Sequence, residues 1–93
     1  MTCSVFAYLK VPADRQTDVS ARVREYAARV RLEPGNVSFE AATNGRGEFF
    51  FWEAFLDSDA FETHRQSAHV AAWRAWYEPF MIERRIEQVS RLA

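Results

Sequence analysis

The segment spanning residues 49–55, with the sequence FFFWEAF, constrains the fold of this chain more than any other feature. Side chains of a strand alternate between the two faces of a sheet. Three aromatic residues therefore fall on one face and two on the other: Phe49, Phe51 and Phe55, and Phe50 and Trp52. A half-exposed sheet normally alternates apolar and polar residues, and this segment does not. Both faces need a cover, and a chain of 93 residues supplies helices for only one of them.

Length and composition predict a single domain, residues 1–93, with one modest core. A hydrophobic content of 48% argues against disorder. The net charge is −1 and no basic patch stands out, so nucleic-acid binding has little electrostatic support. The amino terminus lacks the pattern of a secretion signal, and no apolar run is long enough to span a bilayer. We therefore expect a cytoplasmic protein without a membrane or nucleic-acid partner.

The apolar periodicity predicts the element order strand, helix, strand, strand, helix, strand. The strands are expected at residues 3–11, 36–42, 49–55 and 84–92, and the first helix at 14–32. Asp57 is expected to cap the second helix, and Ser67 to bend or restart it. With right-handed crossovers, this order gives an α+β fold: a ferredoxin-like split βαβ domain with both helices on one face of a four-stranded antiparallel sheet.

The face of the sheet opposite the helices is expected to be apolar. We assign to it the following residues: Val5, Ala7, Leu9, Phe39, Phe50 and Trp52. An exposed patch of this kind favours aggregation unless a partner covers it. The sequence therefore predicts a homodimer in which two sheets pack face to face.

Glu53 is the single carboxylate within the aromatic segment. Burying it ionised would be costly, so its pKa is expected to rise. A carboxyl group of this kind can act as a general base or acid near neutral pH. The alternative is a structural carboxylate that accepts hydrogen bonds from a histidine or a backbone amide.

Glu40 is a candidate companion for Glu53. If the hairpin turn centres on Gly45 and Arg46, Glu40 lies opposite Phe51 and diagonal to Glu53, roughly 7–8 Å away at the backbone. Two carboxylates on one face could divide the roles of acid and base. The favoured alternative for Glu40 is an edge position open to solvent, because acidic residues are seldom fully buried.

Two histidines follow in the second helical segment. His64 shares the inward face with Phe61, three residues earlier, and its imidazole suits proton transfer. Its structural alternative is a ring whose nitrogens are satisfied by the backbone or by Glu53. His69 is expected to have a capping or structural role. Residues five apart do not share a helical face unless the helix breaks, so no metal site is expected.

Aromatic residues are numerous enough to line a cavity between sheet and helices, although core packing is the alternative for each of them singly. Such walls suit a flat aromatic or small carbonyl ligand. The candidate substrate-binding set is Phe6, Tyr8, Glu40, Phe51, Phe55, Phe61, Trp73 and Tyr77.

The order and spacing of one set of residues resemble the antibiotic biosynthesis monooxygenase family. The set comprises Glu33-Pro34-Gly35, Phe39-Glu40, Trp52-Glu53-Ala54-Phe55, Asp57, Ala60-Phe61, His64, Ser67 and His69. The resemblance implies a dimeric α+β barrel of ferredoxin-like subunits with a pocket between sheet and helices. Some relatives oxygenate quinols or polyketide anthrones without metal or flavin, because the deprotonated substrate itself reduces dioxygen. By position, Glu53 and His64 match residues common in the family, and Tyr8 and Trp73 match pocket walls.

Departures from the family pattern leave alternatives open. Phe51 and Phe55 stand where anthrone oxygenases have polar or tryptophan residues, and Trp73 stands near the histidine of haem-degrading relatives, so no haem role is expected. The segment also resembles relatives that isomerise a phosphorylated autoinducer-2 product, although only Arg65 and Lys10 are candidate phosphate ligands. The sequence thus favours a cofactor-independent monooxygenase for a small aromatic substrate. The alternatives are an isomerase of a phosphorylated carbonyl compound and a non-catalytic dimeric binder of a hydrophobic metabolite.

Overall fold

The computed structural model describes residues 2–93, whose four strands form one antiparallel sheet. The strands are β1 (Cys3–Lys10), β2 (Asn36–Thr43), β3 (Glu48–Phe55) and β4 (Glu83–Val89). Their spatial order is β2-β3-β1-β4, so the two strands richest in aromatic residues are central. This is the order of the ferredoxin-like split βαβ domain that the sequence predicts.

The helices are α1 (Gln16–Arg31), α2 (Ser58–Arg65) and α3 (Ala68–Tyr77), with short 3-10 turns before α1 and after α3. The Asp57 carboxylate caps α2 by accepting from the Ala60 amide at 2.8 Å. Ser67 caps α3, so the expected interruption at this residue is confirmed. Within residues 2–93, none of the helices combines the length and apolar character that crossing a membrane requires.

The core lies between the helices and one face of the sheet. Directly opposed residues of an antiparallel pair share a face. Val5 pairs with Glu53, Ala7 with Phe51 and Leu9 with Phe49, and Phe39 pairs with Glu53 from the other side. The helix-facing strand residues are therefore Val5, Ala7, Leu9, Phe39, Phe49, Phe51, Glu53 and Phe55. Assigning Val5, Ala7, Leu9 and Phe39 to the open face was wrong, and all four are buried.

The open face carries the alternate residues of the two central strands. The ring of Phe6 meets Trp52 edge-on at 5.4 Å, and that of Tyr8 lies 5.5 Å from Phe50. We call these four residues the aromatic quartet. Phe6 and Tyr8 were expected to line the cavity under the helices, and their rings instead point to the other side of the sheet.

The β2–β3 hairpin has a register one residue away from the expected one. Glu40 lies opposite Trp52 rather than Phe51, because the connection is longer than a two-residue turn. Gly45 and Gly47 both take positive φ, at 81° and 86°. A slip of one residue moves a side chain to the other face. Glu40 is consequently exposed on the open face, away from Glu53.

Gly47 provides a test of this hairpin geometry. A Cβ atom there would lie 2.4 Å from the Val11 carbonyl oxygen, and the Val11 amide donates to the Gly47 carbonyl at 2.8 Å. Gly47→Ala should therefore lower the free energy of unfolding by more than about 2 kcal/mol, the sum of backbone strain and a displaced strand end. Gly45→Ala is the matched control, since its Cβ meets nothing within 4 Å. It should cost about 1 kcal/mol. Both free energies of unfolding can be measured by urea denaturation, and an equal loss in the two variants would contradict the hairpin geometry.

Candidate active site

A cavity of about 350 Å³ lies between the helix-facing side of the sheet and the helices. Strand pairing arranges its floor in three rows. One end row is Glu53, Val5 and Gln88, the middle row is Phe51, Ala7 and Ile86, and the other end holds Leu9 and Arg84. The opposite wall comes from the helices and comprises Tyr26, Phe61, His64, Val70, Trp73 and Tyr77.

Glu53 occupies one end of this cavity with its side chain only 9% exposed. Its Oε1 atom lies 3.6 Å from Nε2 of His64. Burial, and secondly repulsion from Glu33, raise the pKa of Glu53 to about 7 from its ordinary value of 4.5. The carboxyl group can therefore take up or release a proton near neutral pH.

His64 is held from both sides by aromatic rings and by a carboxylate. Its ring centroid lies 4.8 Å from that of Phe55 and 6.2 Å from that of Phe61. Its Nδ1 atom lies 2.8 Å from Oε2 of Glu33. Burial lowers the pKa of His64, although Glu33 acts in the opposite direction. The imidazole is thus favoured in its neutral form.

Glu33 is shared between the two histidines. His69 Nε2 lies 2.5 Å from the same Oε2 atom that contacts His64. An ionised carboxylate can only accept hydrogen bonds, so both ring nitrogens donate to it. Donation from Nδ1 fixes the tautomer of His64 and leaves the lone pair of Nε2 directed at Glu53. We call Glu33, His64 and His69 the Glu33 cluster.

The Glu33 cluster and Glu53 together form an acid–base system. A carboxylate that orients an imidazole, whose second nitrogen faces the reacting group, is a recurring arrangement for moving protons. Here the second nitrogen faces the Glu53 carboxyl at the wall of an aromatic cavity. A ligand in this cavity could give up a proton at this end and receive it back.

The expectation that the two histidines lie apart was wrong, because both contact Glu33. That expectation assumed a continuous helix, and the break at Ser67 brings both rings to one carboxylate. One nitrogen of each histidine and one oxygen of Glu33 lie within 4.8 Å of one another. Imidazole nitrogen and carboxylate oxygen are atoms that bind zinc in proteins. Hydrogen bonds to Glu33 already join them, and these bonds account for the observed arrangement.

Four of the candidate substrate-binding residues border the cavity as expected: Phe51, Phe61, Trp73 and Tyr77. Tyr8 borders it too, although its ring lies on the open face beside Phe50. Phe6 and Glu40 lie on the open face outside the cavity, and Phe55 is fully buried behind His64.

Sequence reasoning missed three charged residues that meet this region: Glu33, Arg74 and Arg84. Glu33 was named only as part of the Glu33-Pro34-Gly35 segment that resembles the family. No local pattern joins it to a histidine 31 residues later. Arg84 had a usable signal, because alternation in β4 places it on the same face as Ile86.

Comparison with known proteins gives a consistent result. The model of the antibiotic biosynthesis monooxygenase family matches residues 2–76. None of the curated proteins compared with the chain matches it. Solved structures similar to this chain include Rv0793 from Mycobacterium tuberculosis, with 20% identity and a TM-score of 0.88 over 100% of this chain and 97% of that one.

Two further structures are provisionally named antibiotic biosynthesis monooxygenases. The one from Nitrosomonas europaea has 22% identity and a TM-score of 0.87, covering 98% of this chain and 90% of that chain. The one from Caulobacter crescentus CB15 has 23% identity and a TM-score of 0.86, covering 99% and 91%. Similarity at this level of identity shows the shared fold. The family model matches most of this chain, so the chain belongs to the antibiotic biosynthesis monooxygenase family.

Proposed function

We propose that the protein is a cofactor-independent monooxygenase for a small aromatic, quinol-like or polyketide substrate. The observation that carries the proposal is the buried Glu53 carboxyl, 3.6 Å from an imidazole that Glu33 orients, at the end of an aromatic cavity. Family membership supports oxygenation as the reaction class.

Proton removal would be the first task of this site. Above about pH 7 the Glu53 carboxylate is the base, with His64 Nε2 beside it to share the proton. The aromatic walls formed by Phe51, Trp73 and Tyr77 would hold a flat substrate and keep water from the anion that forms.

The deprotonated substrate would then supply the electrons. One electron passes from the substrate anion to dioxygen, and the resulting radical pair combines to form a C–O bond. The peroxide anion takes a proton from the Glu53–His64 pair. The pair then removes the hydrogen from the carbon that carries the hydroperoxide, the O–O bond breaks to leave a carbonyl, and the departing hydroxide takes that proton to become water. For a hydroquinone the balance is quinol plus dioxygen giving hydroxyquinone plus water. All four electrons come from the substrate, and no external reductant is needed.

Oxygen uptake tests the proposal directly. With a panel of hydroquinones and anthrone, Glu53→Gln and His64→Ala should lower the enzyme-dependent rate by about 10²- to 10⁴-fold, because each removes a proton-transfer group. The wild-type rate should rise with pH through about 7, as Glu53 loses its proton. The exposed Glu62→Gln is the matched control and should leave the rate unchanged.

Other outcomes of the same assay favour the alternative functions. Equal rates in the wild type and both site variants would reject the proposed roles of Glu53 and His64. Solvent deuterium entering next to a carbonyl of a phosphorylated substrate, without oxygen uptake, would indicate an isomerase. Ligand-induced quenching of tryptophan fluorescence without turnover would indicate a binding protein.

The charge state of Glu53 should also be visible in stability. A carboxyl whose folded pKa is raised holds its proton in the folded state after the unfolded chain has lost it. Stability therefore falls as pH rises from 4.5 to about 7. Above pH 7, Glu53→Gln should be more stable than the wild type by on the order of 3 kcal/mol, and the difference should vanish below pH 4.5. Urea unfolding at pH 4 and pH 8 checks this, and a gap that does not change with pH would contradict it.

We further propose that the open face of the sheet pairs with a second copy of the chain. The aromatic quartet forms its centre, and Trp52 is 52% exposed. Charged residues surround the quartet on the same face: Lys10, Glu40, Glu48, Arg85 and Glu87. An apolar centre with a polar rim is the usual anatomy of a protein–protein interface.

Oligomeric state in solution tests this pairing. Analytical ultracentrifugation should find the wild type as a dimer and Trp52→Glu as a folded monomer, because two buried carboxylates would face each other across the interface. Leu32→Glu is the control, since Leu32 is 79% exposed at the end of α1, away from the sheet face. A wild type that stays monomeric at micromolar concentration would overturn the pairing.

A further inference from the structure

Arg84 lies at the end of the cavity opposite Glu53. It pairs with Leu9 across β1, and Leu9 is a buried helix-facing residue, so the Arg84 side chain leaves the sheet on the cavity side. Its Nε atom is buried and has no hydrogen-bond partner among residues 2–93. No carboxylate in that part of the chain forms an ion pair with its guanidinium.

Arg65 and Arg74, the two other arginines that border the cavity, have ion-pair partners and exposed side chains. Arg65 pairs with Glu62 at 3.2 Å, and Arg74 pairs with Glu78 at 3.8 Å. The side chains of Arg65 and Arg74 are about half exposed, at 59% and 46%, so water and a carboxylate satisfy their charge. Among these three arginines, Arg84 is thus the one with a buried N–H that has no partner in residues 2–93.

The Arg84 side chain is partly exposed, but its buried Nε–H lacks a partner. A buried donor without a partner is costly, and a guanidinium is compensated best by an oxyanion. Its planar fork of N–H donors matches a carboxylate or phosphate with two parallel hydrogen bonds. We propose that Arg84 binds an anionic group of the ligand, so that the substrate is an aromatic compound that carries a carboxylate or phosphate group.

The strand register gives the shape of this ligand. Arg84 and Glu53 lie on either side of β1, two inter-strand spacings and four residues apart, which is roughly 16 Å between Cα atoms. Side chains that extend toward each other span most of this distance, so a flat ligand in the cavity can contact both. An elongated aromatic body lying along Phe51 and Trp73 fits between them. The position of the reacting carbon beside Glu53 rests on the proposed function. The negative charge of the bound group rests on Arg84 alone.

Binding measurements separate the anion site from the chemistry. Isothermal titration calorimetry at pH 8 would compare 2-naphthoate, 2-naphthyl phosphate and neutral 2-naphthamide. The wild type should bind at least one of the anions more tightly than the amide by at least about tenfold. Arg84→Gln should bind the preferred anion no better than the amide. Arg85→Gln is the matched control, because Arg85 is the next residue on the open face and pairs with Glu87.

Each outcome decides the inference. Equal affinity of the wild type for the anions and the amide, or no binding of either anion, would overturn it. So would a preference that survives in Arg84→Gln, or one that Arg85→Gln loses equally. The preferred anion identifies the ligand group as carboxylate or phosphate. Glu53→Gln should keep the anion preference, so a protein that shows this preference but consumes no oxygen contradicts only the proposed function.

Discussion

The alternation of β3 is the constraint on which the rest of the structure depends. Its odd-numbered residues face the helices and its even-numbered residues face the other way, so both sides carry aromatic rings. The same alternation puts Glu53 on the buried face, between Phe51 and Phe55. A carboxyl group in that position loses hydration, and this loss is the main cause of its raised pKa. The geometry of one strand thus produces both the open aromatic surface and the titratable group in the cavity.

The break between α2 and α3 determines what surrounds that carboxyl group. The helix α2 ends at Arg65 and Ser67 caps α3, and this break lets His64 and His69 reach the same oxygen of Glu33. Three separate parts of the chain are joined there by hydrogen bonds between the buried His64 and the partly buried Glu33 and His69. Networks of this kind hold side chains in one geometry, and here the geometry directs a free imidazole nitrogen at Glu53.

The cavity is chemically different at its two ends. Glu53 and His64 stand at one end, Arg84 at the other, and aromatic side chains with the small Ala7 lie between them. Proton transfer and charge recognition are thus separated along the strands. The proposed dimer uses the other face of the same sheet, and of the aromatic quartet only Tyr8 also borders the cavity.

The sequence by itself determined the order of the elements, the caps at Asp57 and Ser67 and the inward position of Glu53, because these follow from local periodicity and local hydrogen bonds. It did not determine which face of β1 meets the helices, nor the register that turns Glu40 away from Glu53. Both depend on pairing between strands, and a one-residue difference in loop length reverses the face. The contacts of Glu33 with His64 and His69 were likewise decided only by tertiary structure. They join residues far apart in the chain, and no short-range pattern encodes such contacts.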